Sequence, residues 1–375
     1  SMFPASAIDG QSAQAASVAL DPKTGAVRAL VGRINSSENA AFRTFNFATQ
    51  SQRSPGSAIK PLVAYAPAVA AGWSINKELD NQTTNYNGYS LENYIGTTSE
   101  PVPMYQALAQ SLNLPAVYTV NELGINRAFE YGKKFGLNMD SVDRVLGVAI
   151  GSGVSTNPLQ MAQAYSAFAN GGVMQDAHLI SRIETANGKV LASHKGSSKR
   201  VIDQAVADKM TSMMLGTFTN GTGYSADVYG YDIAGKTGTT ETSFDVNLIN
   251  DQWIIGYTPD LVISQWVGYE KTDENHYIDG STSWMAPVVF QTVAGSLLPQ
   301  TKNTGFTVKN AYALNGLDTT NSATPQVPAN EIEDKVNYWT DRAQELLDQT
   351  QKNITEADLP NKAKSLWDSF VDLFQ

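Results

Sequence analysis

The sequence has no cysteine. Disulfides, thiolate nucleophiles and cysteine-based metal sites are therefore excluded. Histidine is nearly as scarce. His178, His194 and His276 are the three in 375 residues, and none has a second histidine at helical spacing to share a zinc ion. A serine enzyme built on this chain would need a base other than histidine. Positive charge is in deficit: 26 Lys and Arg against 36 Asp and Glu leave a net charge of −10 and a pI near 4.8. Phosphate backbones require a basic face, which argues against nucleic acid as a partner. The acidity itself reads as solubility. No run approaches the roughly 18 apolar residues of a membrane-spanning helix, and no signal peptide is visible. Ser1-Met2 reads as a cloning remnant, so residues 1–13 are expected to be a scar and linker, with the natural N-terminus further upstream.

What is present is globular: 42% hydrophobic and 17% charged residues, enough for one large core or two domains. Residues 16–33 read as a hairpin on Asp21-Pro22-Lys23-Thr24-Gly25. A helix is expected from Ser57 to Ala71, stopping at Gly72, with Pro61 tolerated in its first turn. Residues 104–137 read as helical, broken at Gly124, and 158–170 as a helix ended by Gly171-Gly172. A hairpin on Asn187-Gly188 spans 179–193, and a helix capped by Asp203 spans 203–218. Strands follow at 231–240, 252–258 and 261–269, the last two antiparallel about Pro259-Asp260, and then an apolar helix at 284–298. Strands at both ends of residues 14–300 with helices between predict an α+β fold, its sheet closed by distant segments around a helical insertion. Beyond residue 300 the texture becomes polar, and a linker and an acidic helical tail are expected over 301–375.

Three short motifs could carry chemistry. Ser57-Ala58-Ile59-Lys60 places a hydroxyl and an amine one helical turn apart, so Lys60 can reach Ser57 and take its proton if burial or a neighbouring cation keeps it neutral. The pattern is weak alone, because Ser74-Ile75-Asn76-Lys77 repeats it. Ser111-Leu112-Asn113 is a Ser-x-Asn, with Ser37-Glu38-Asn39 and Ser74-Ile75-Asn76 as further instances. Lys236-Thr237-Gly238-Thr239 is a Lys-Thr-Gly on a strand, whereas Lys23-Thr24-Gly25 is explained by turn geometry.

Together and in this order, the three motifs are the set shared by β-lactamases and penicillin-binding proteins. Arg53-Ser54-Pro55-Gly56-Ser57-Ala58-Ile59-Lys60-Pro61 resembles the nucleophile segment of class A (bifunctional) penicillin-binding proteins. Asp21-Pro22-Lys23-Thr24-Gly25-Ala26-Val27, Phe168-Ala169-Asn170-Gly171-Gly172, Lys236-Thr237-Gly238-Thr239-Thr240, Trp253-Ile254-Ile255-Gly256-Tyr257-Thr258-Pro259-Asp260 and Trp266-Val267-Gly268-Tyr269 extend the likeness over residues 14–300. The resemblance implies a β-lactamase-like penicillin-recognition fold, with a mainly antiparallel five-stranded sheet, flanking helices and a helical subdomain. It implies a DD-transpeptidase of peptidoglycan, needing no cofactor and no metal. Ser57 would attack a stem peptide's D-Ala–D-Ala carbonyl, Lys60 would accept its proton, Ser111 would relay a proton to the leaving amine, and Asn113 would orient Lys60 and the substrate. Lys236 would hold positive potential beside Lys60, and Thr237 and Thr239 would bind the substrate carboxylate. Gly238 would let substrate lie close to the strand. The N–H groups of Ser57 and Thr239 would form the oxyanion hole. An amine on a second stem peptide would take the acyl group, and β-lactams would stall the enzyme. The implied setting is the extracytoplasmic face of a bacterial membrane, beside other cell-wall synthesis proteins, with the membrane reached only through an anchor outside this chain.

Three rivals share the motifs: a DD-carboxypeptidase, a β-lactamase and a non-enzymatic β-lactam sensor. A β-lactamase adds a glutamate that activates water. Glu122-Leu123-Gly124-Ile125-Asn126 offers a Glu-x-x-x-Asn, but only eleven residues after Ser111, far earlier than the corresponding loop of class A β-lactamases.

Overall fold

The computed structural model describes Phe3, Ser6 and residues 9–34, 44–86, 88–89, 91–93, 100–279 and 285–316. The Ser37-Glu38-Asn39 motif, Trp284 and the part of the expected linker and tail beyond residue 316 lie outside the described residues. Strands β1 (Gln14–Leu20) and β2 (Val27–Val31) form the expected N-terminal hairpin. A small detached hairpin pairs β3 (Arg182–Glu184) with β4 (Val190–Ser193), about a turn in which Gly188 has φ 83°. The C-terminal strands are β5 (Ala234–Glu241), β6 (Leu248–Tyr257), β7 (Val262–Gly268) and the two-residue β8 (Ile278–Asp279). The main sheet runs β5-β6-β7-β1-β2, antiparallel throughout, with β8 on the far end of β6. This is an α+β sheet of five full strands plus a short sixth, and β1 joins β7 across some 250 residues of sequence.

Period-two alternation explains why both faces of the sheet are covered. Ala16, Val18, Leu20, Trp253, Ile255, Val262 and Trp266 enter a core on one face. Ala15, Ala19, Ile254, Ile263 and Val267 enter a second core on the other. Helix α7 (Met285–Leu297) covers that second face through Met285, Ala286, Phe290 and Ala294.

The helix expected over 57–71 is three conformations in series. Gly56–Ile59 is 3-10, Pro61–Tyr65 is π, and only α1 (Ala66–Ala70) is α-helical. Pro61 and Pro67 lack the N–H that a continuous helix would use, so the hydrogen-bond register shifts around them. The run 105–123 is likewise interrupted. It divides into α2 (Met104–Ala109) and α3 (Asn113–Leu123), separated by a turn in which Ser111 has φ 59°. The break at Gly124 lies where expected, before α4 (Ile125–Lys134). Asn157 caps α5 (Pro158–Ala169) through its side chain, which accepts from Gln160 N at 3.0 Å. Asp203 stands at the start of α6 (Gln204–Thr219) without a side-chain cap bond; its backbone carbonyl receives Val206 and Ala207 instead. Residues 301–316, expected to begin the linker, pack on the domain. Ala311 is fully buried and donates its N–H to Ser212 O, and Thr304 binds Asp260.

One buried ion pair ties the nucleophile segment to the sheet. Arg53 sits 3.6 Å from Asp251, a fully buried carboxylate on β6. Its guanidinium donates to Tyr269 O and Glu270 O and lies 5.3 Å over the Trp266 ring. Asp251 also accepts from Trp266 Nε1 at 2.8 Å and Thr240 Oγ1 at 3.0 Å. Removing one member of such a pair leaves an uncompensated charge inside. Arg53→Ala should therefore lose about 3–5 kcal/mol in urea unfolding; a loss within about 0.5 kcal/mol, typical of surface positions, would show the pair to be uncoupled from folding.

Candidate active site

The nucleophile segment meets the edge strand backbone to backbone. Gly56 has φ 51°, and a side chain there would strike Thr239 O at 2.5 Å. A side chain at Gly238 would strike Pro55 O at 2.3 Å and Ala58 N at 2.9 Å. A side chain at Gly151, with φ 96°, would strike Gly56 O at 2.8 Å. The missing side chain of Gly238 thus makes room for the turn carrying Ser57, and Gly238 also lines the cleft. Trp253 Nε1 donates to Ser54 O at 2.9 Å and Tyr165 Oη to Ala58 O at 2.6 Å, which holds the turn from both sides.

A cleft of about 540 Å³ runs along this junction. It brings together Ser57, Ser111, Asn113, Thr237, Gly238 and Thr239, with Lys60 and Lys236 buried behind them. Ser57 is half-buried, and Thr239 is exposed. Lys60 Nζ donates to Ser111 O at 2.6 Å, Leu112 O at 3.1 Å and Asn113 Oδ1 at 2.7 Å, and lies 3.5 Å from Ser111 Oγ. The left-handed turn at Ser111 turns these acceptors inward. Lys60 is therefore engaged with the Ser-x-Asn turn. Among the described residues no hydrogen bond joins it to Ser57, a contact that resting active sites commonly form only with substrate in place. Lys236 Nζ donates to Thr237 O at 3.0 Å, and Thr237 Oγ1 is hydrogen-bonded to Thr222 Oγ1.

Both lysines are completely buried. Burial, and then the charge of Lys236, hold the Lys60 amine well below its ordinary range, against a smaller opposing pull from Glu241. Burial alone brings Lys236 down to about 7. A neutral lysine beside a serine, next to a second lysine that still carries charge near neutrality, can accept a proton from a hydroxyl and attract an anion at once.

Several contributors carry no sequence signal of their own. Asn93 Oδ1 accepts from Asn113 N at 2.8 Å and Leu114 N at 3.0 Å, capping α3 from a distant loop because the local N-cap, Leu112, cannot. Asn93 is held in turn by Asn81 at 2.7 Å. Thr222 and Glu241 line the cleft, and nothing in their neighbours predicts it.

The look-alike motifs lie elsewhere. Ser74 is exposed and accepts Asn76 N, while Lys77 lies 4.7 Å over the Trp73 ring. Lys23 belongs to a second cleft of about 610 Å³ at the hairpin end of the sheet. Two of the cleft's cations have partners there: Lys23 lies 3.3 Å from Asp260, and Arg28 lies 2.6 Å from Asp21. Glu122 is exposed at the end of α3, bonded to Asn121, and does not line the cleft that holds Ser57.

The penicillin binding protein transpeptidase domain matches residues 15–293. The chain belongs to that family. Among curated relatives, penicillin-binding protein 2a of Streptococcus pneumoniae is 59% identical over 379 residues, covering all of this chain and 52% of the relative. Penicillin-binding protein 1F of Bacillus subtilis is 35% identical over 278 residues, covering 73% of this chain and 38% of the relative. The chain thus spans about half the length of the first of these relatives and less of the second. Among solved structures, PonA1 of Mycobacterium tuberculosis in complex with penicillin V aligns with a TM-score of 0.69 at 26% identity, covering 86% of each chain. The domain is a serine acyltransferase of the penicillin-binding type, with the fold that the motif order implies.

Two measurements follow from this geometry. Gly238→Ala pushes a methyl group into the Pro55 carbonyl, neither side being a flexible side chain. It should cost about 1–3 kcal/mol of stability and on the order of 100-fold in acylation by benzylpenicillin; acylation at the parent rate would show that the strand and turn can part freely. The pH dependence of that acylation should be bell-shaped. The rate rises with pH as Lys60 loses its proton, well below pH 10.5, and falls above about 7 as Lys236 loses the positive charge that attracts the penicillin carboxylate. Lys236→Arg, which stays charged, should move the falling limb to higher pH; an unmoved limb would assign it to another group.

Proposed function

We propose that the domain is a peptidoglycan DD-transpeptidase working through a Ser57 acyl-enzyme. The observation that carries this reading is the burial of two lysines behind one cleft. Lys60 is tied to Ser111 and Asn113, Lys236 lies against Thr237, and Ser57 lines the cleft in front of them.

Ser57 Oγ attacks the carbonyl carbon of the penultimate D-Ala while its proton passes to Lys60 Nζ. The developing oxyanion is held by the N–H groups of Ser57 and Thr239. The position of Thr239 supports this role, because its backbone N and O face Gly56 rather than the sheet interior. Collapse breaks the C–N bond. The leaving D-Ala amine takes a proton through Ser111 Oγ, which draws it from Lys60. Asn113 keeps Lys60 in place and binds the substrate amide. The terminal carboxylate rests on Thr237 and Thr239 under the potential of Lys236. An amine on a second stem peptide then attacks the ester, its proton leaves through the same relay, and Ser57 is released with a new amide formed. A β-lactam follows the first half, but its leaving amine stays tethered to the acyl group and blocks the acceptor. The cleft's described lining holds no Glu-x-x-x-Asn pair, which favours acyl transfer over hydrolysis of penicillin.

The full protein is expected to work at the extracytoplasmic face of a bacterial membrane, as part of a longer bifunctional chain with other cell-wall synthesis proteins nearby. Among the described residues, no helix is long and apolar enough to cross a membrane.

Intact-mass analysis with peptide mapping tests the assignment. One penicilloyl adduct is expected, on Ser57, and Ser57→Ala should abolish it. An adduct on Ser74, or none, would overturn the assignment of nucleophile.

A further inference from the structure

The cleft does not end at the reacting centre. From Thr222, beside Thr237, it follows β5 past Thr239 to Glu241, where Ile249, Ala286 and Pro287 also line it. Ile249 stands opposite Glu241 in the β5–β6 ladder, and Ile249 and Ala286 are buried. Thr237, Thr239 and Glu241 alternate along the strand, so their side chains fall on one face of it. At about 3.3 Å per residue, Glu241 lies about 7 Å beyond Thr239. Among the described residues lining the cleft, Glu241 is the only one with a formal charge. It is exposed, and it forms no ion pair with any described residue. Its field is felt inside the site, where it opposes the effect of Lys236 on Lys60.

We propose that Glu241, with Ile249, Ala286 and Pro287, forms a subsite for an ammonium group carried by the donor peptide just upstream of the acylated residue. The proposal rests on the DD-transpeptidase reading. With the terminal carboxylate on Thr237 and Thr239 and the scissile carbonyl between the N–H groups of Ser57 and Thr239, the rest of the donor leaves along β5 toward Glu241. One extended residue covers about 3.3–3.6 Å, so a group one or two residues upstream reaches that carboxylate. The strand then reads the donor as a dipole, with its anionic end at Lys236 and its cationic end at Glu241. A stem peptide that can act as acceptor carries a primary amine, and a donor of the same kind carries it too. The methylenes or ring bearing that amine would lie over Ile249, Ala286 and Pro287, while the charge meets Glu241. This makes Glu241 a specificity-determining residue for cationic donors.

Two penicillins isolate this contact. Ampicillin and benzylpenicillin differ by one ammonium on the acyl side chain, the part of the molecule that lies upstream of the reacting carbonyl. The second-order acylation constants of both should be measured for the parent domain, E241Q and E241K, with peptide mapping of the adduct. The ampicillin-to-benzylpenicillin ratio should fall about two- to fivefold in E241Q, as expected for a solvent-exposed ion pair, and further in E241K. The difference between parent and E241Q should shrink at high salt. A ratio unchanged in both variants would overturn the subsite. So would an unchanged ratio with slower release of the penicilloyl group, which would make Glu241 a base for water instead. If neither compound labels Ser57 in the parent domain, the reading of the site fails first and takes this proposal with it.

Discussion

The structure turns on a contact between two backbones. The turn that carries Ser57 lies against β5 with nothing between them but main-chain atoms. Gly56, Gly238 and Gly151 are there because a β-carbon at any of the three would fall within 3 Å of backbone atoms. That approach sets Ser57 and Thr239 side by side along the cleft without help from a mobile side chain. It also explains the apparatus around it. The Arg53–Asp251 pair, the Trp253 indole on Ser54 and the Tyr165 hydroxyl on Ala58 all hold the turn in place. A site built on rigid strands and turns keeps its geometry better than one built on loops.

Electrostatics forms the second layer. Two lysines are fully buried a short distance apart, an arrangement that costs stability and shifts both amines toward neutrality. Such a cost is common at functional sites, where the perturbed group is the working one. The Ser-x-Asn turn moderates it by giving the Lys60 amine three close oxygen acceptors. The left-handed conformation of Ser111 and the remote cap from Asn93 both serve to point those acceptors inward. The absence of histidine near the cleft is consistent with this design: His178 and His194 stack on each other at 3.8 Å beside the outer hairpin, and His276 lies between Asp9 and Asp273.

Most of the sheet was legible in the pattern of the chain. The hairpin at 16–33, the antiparallel pair about Pro259-Asp260 and the apolar helix after it all follow from alternation, turn residues and length. The misreadings share one cause. Continuous helices were expected at 57–71 and 105–123 because both are apolar and periodic, yet each is interrupted beside a candidate site residue, Lys60 in the first and Ser111 in the second. Local pattern reports which face is buried, and it does so equally well for 3-10, π and α geometry. Asp203 shows the same limit, since residue type predicted a side-chain cap that the backbone supplies instead. Residues 301–316 read as linker because they are polar, but Ala311 and the Thr304–Asp260 contact bind them to the body.

The sequence by itself determined the family, through the order and flanks of three motifs, and it ruled out thiol and cysteine-metal chemistry by having no cysteine. It could not separate Ser57 from Ser74, or Lys236 from Lys23, by motif alone, because four residues do not record what surrounds them. Their flanks favour Ser57 and Lys236, and only the tertiary structure shows what surrounds each. Folding buries Lys60 and Lys236 behind one cleft, leaves Lys77 on a tryptophan face and Lys23 against Asp260 at the surface, and brings Asn93 and Glu241 to the site from segments with no motif. Burial and close approach are properties of distant segments meeting, and a lysine's proton affinity depends on them.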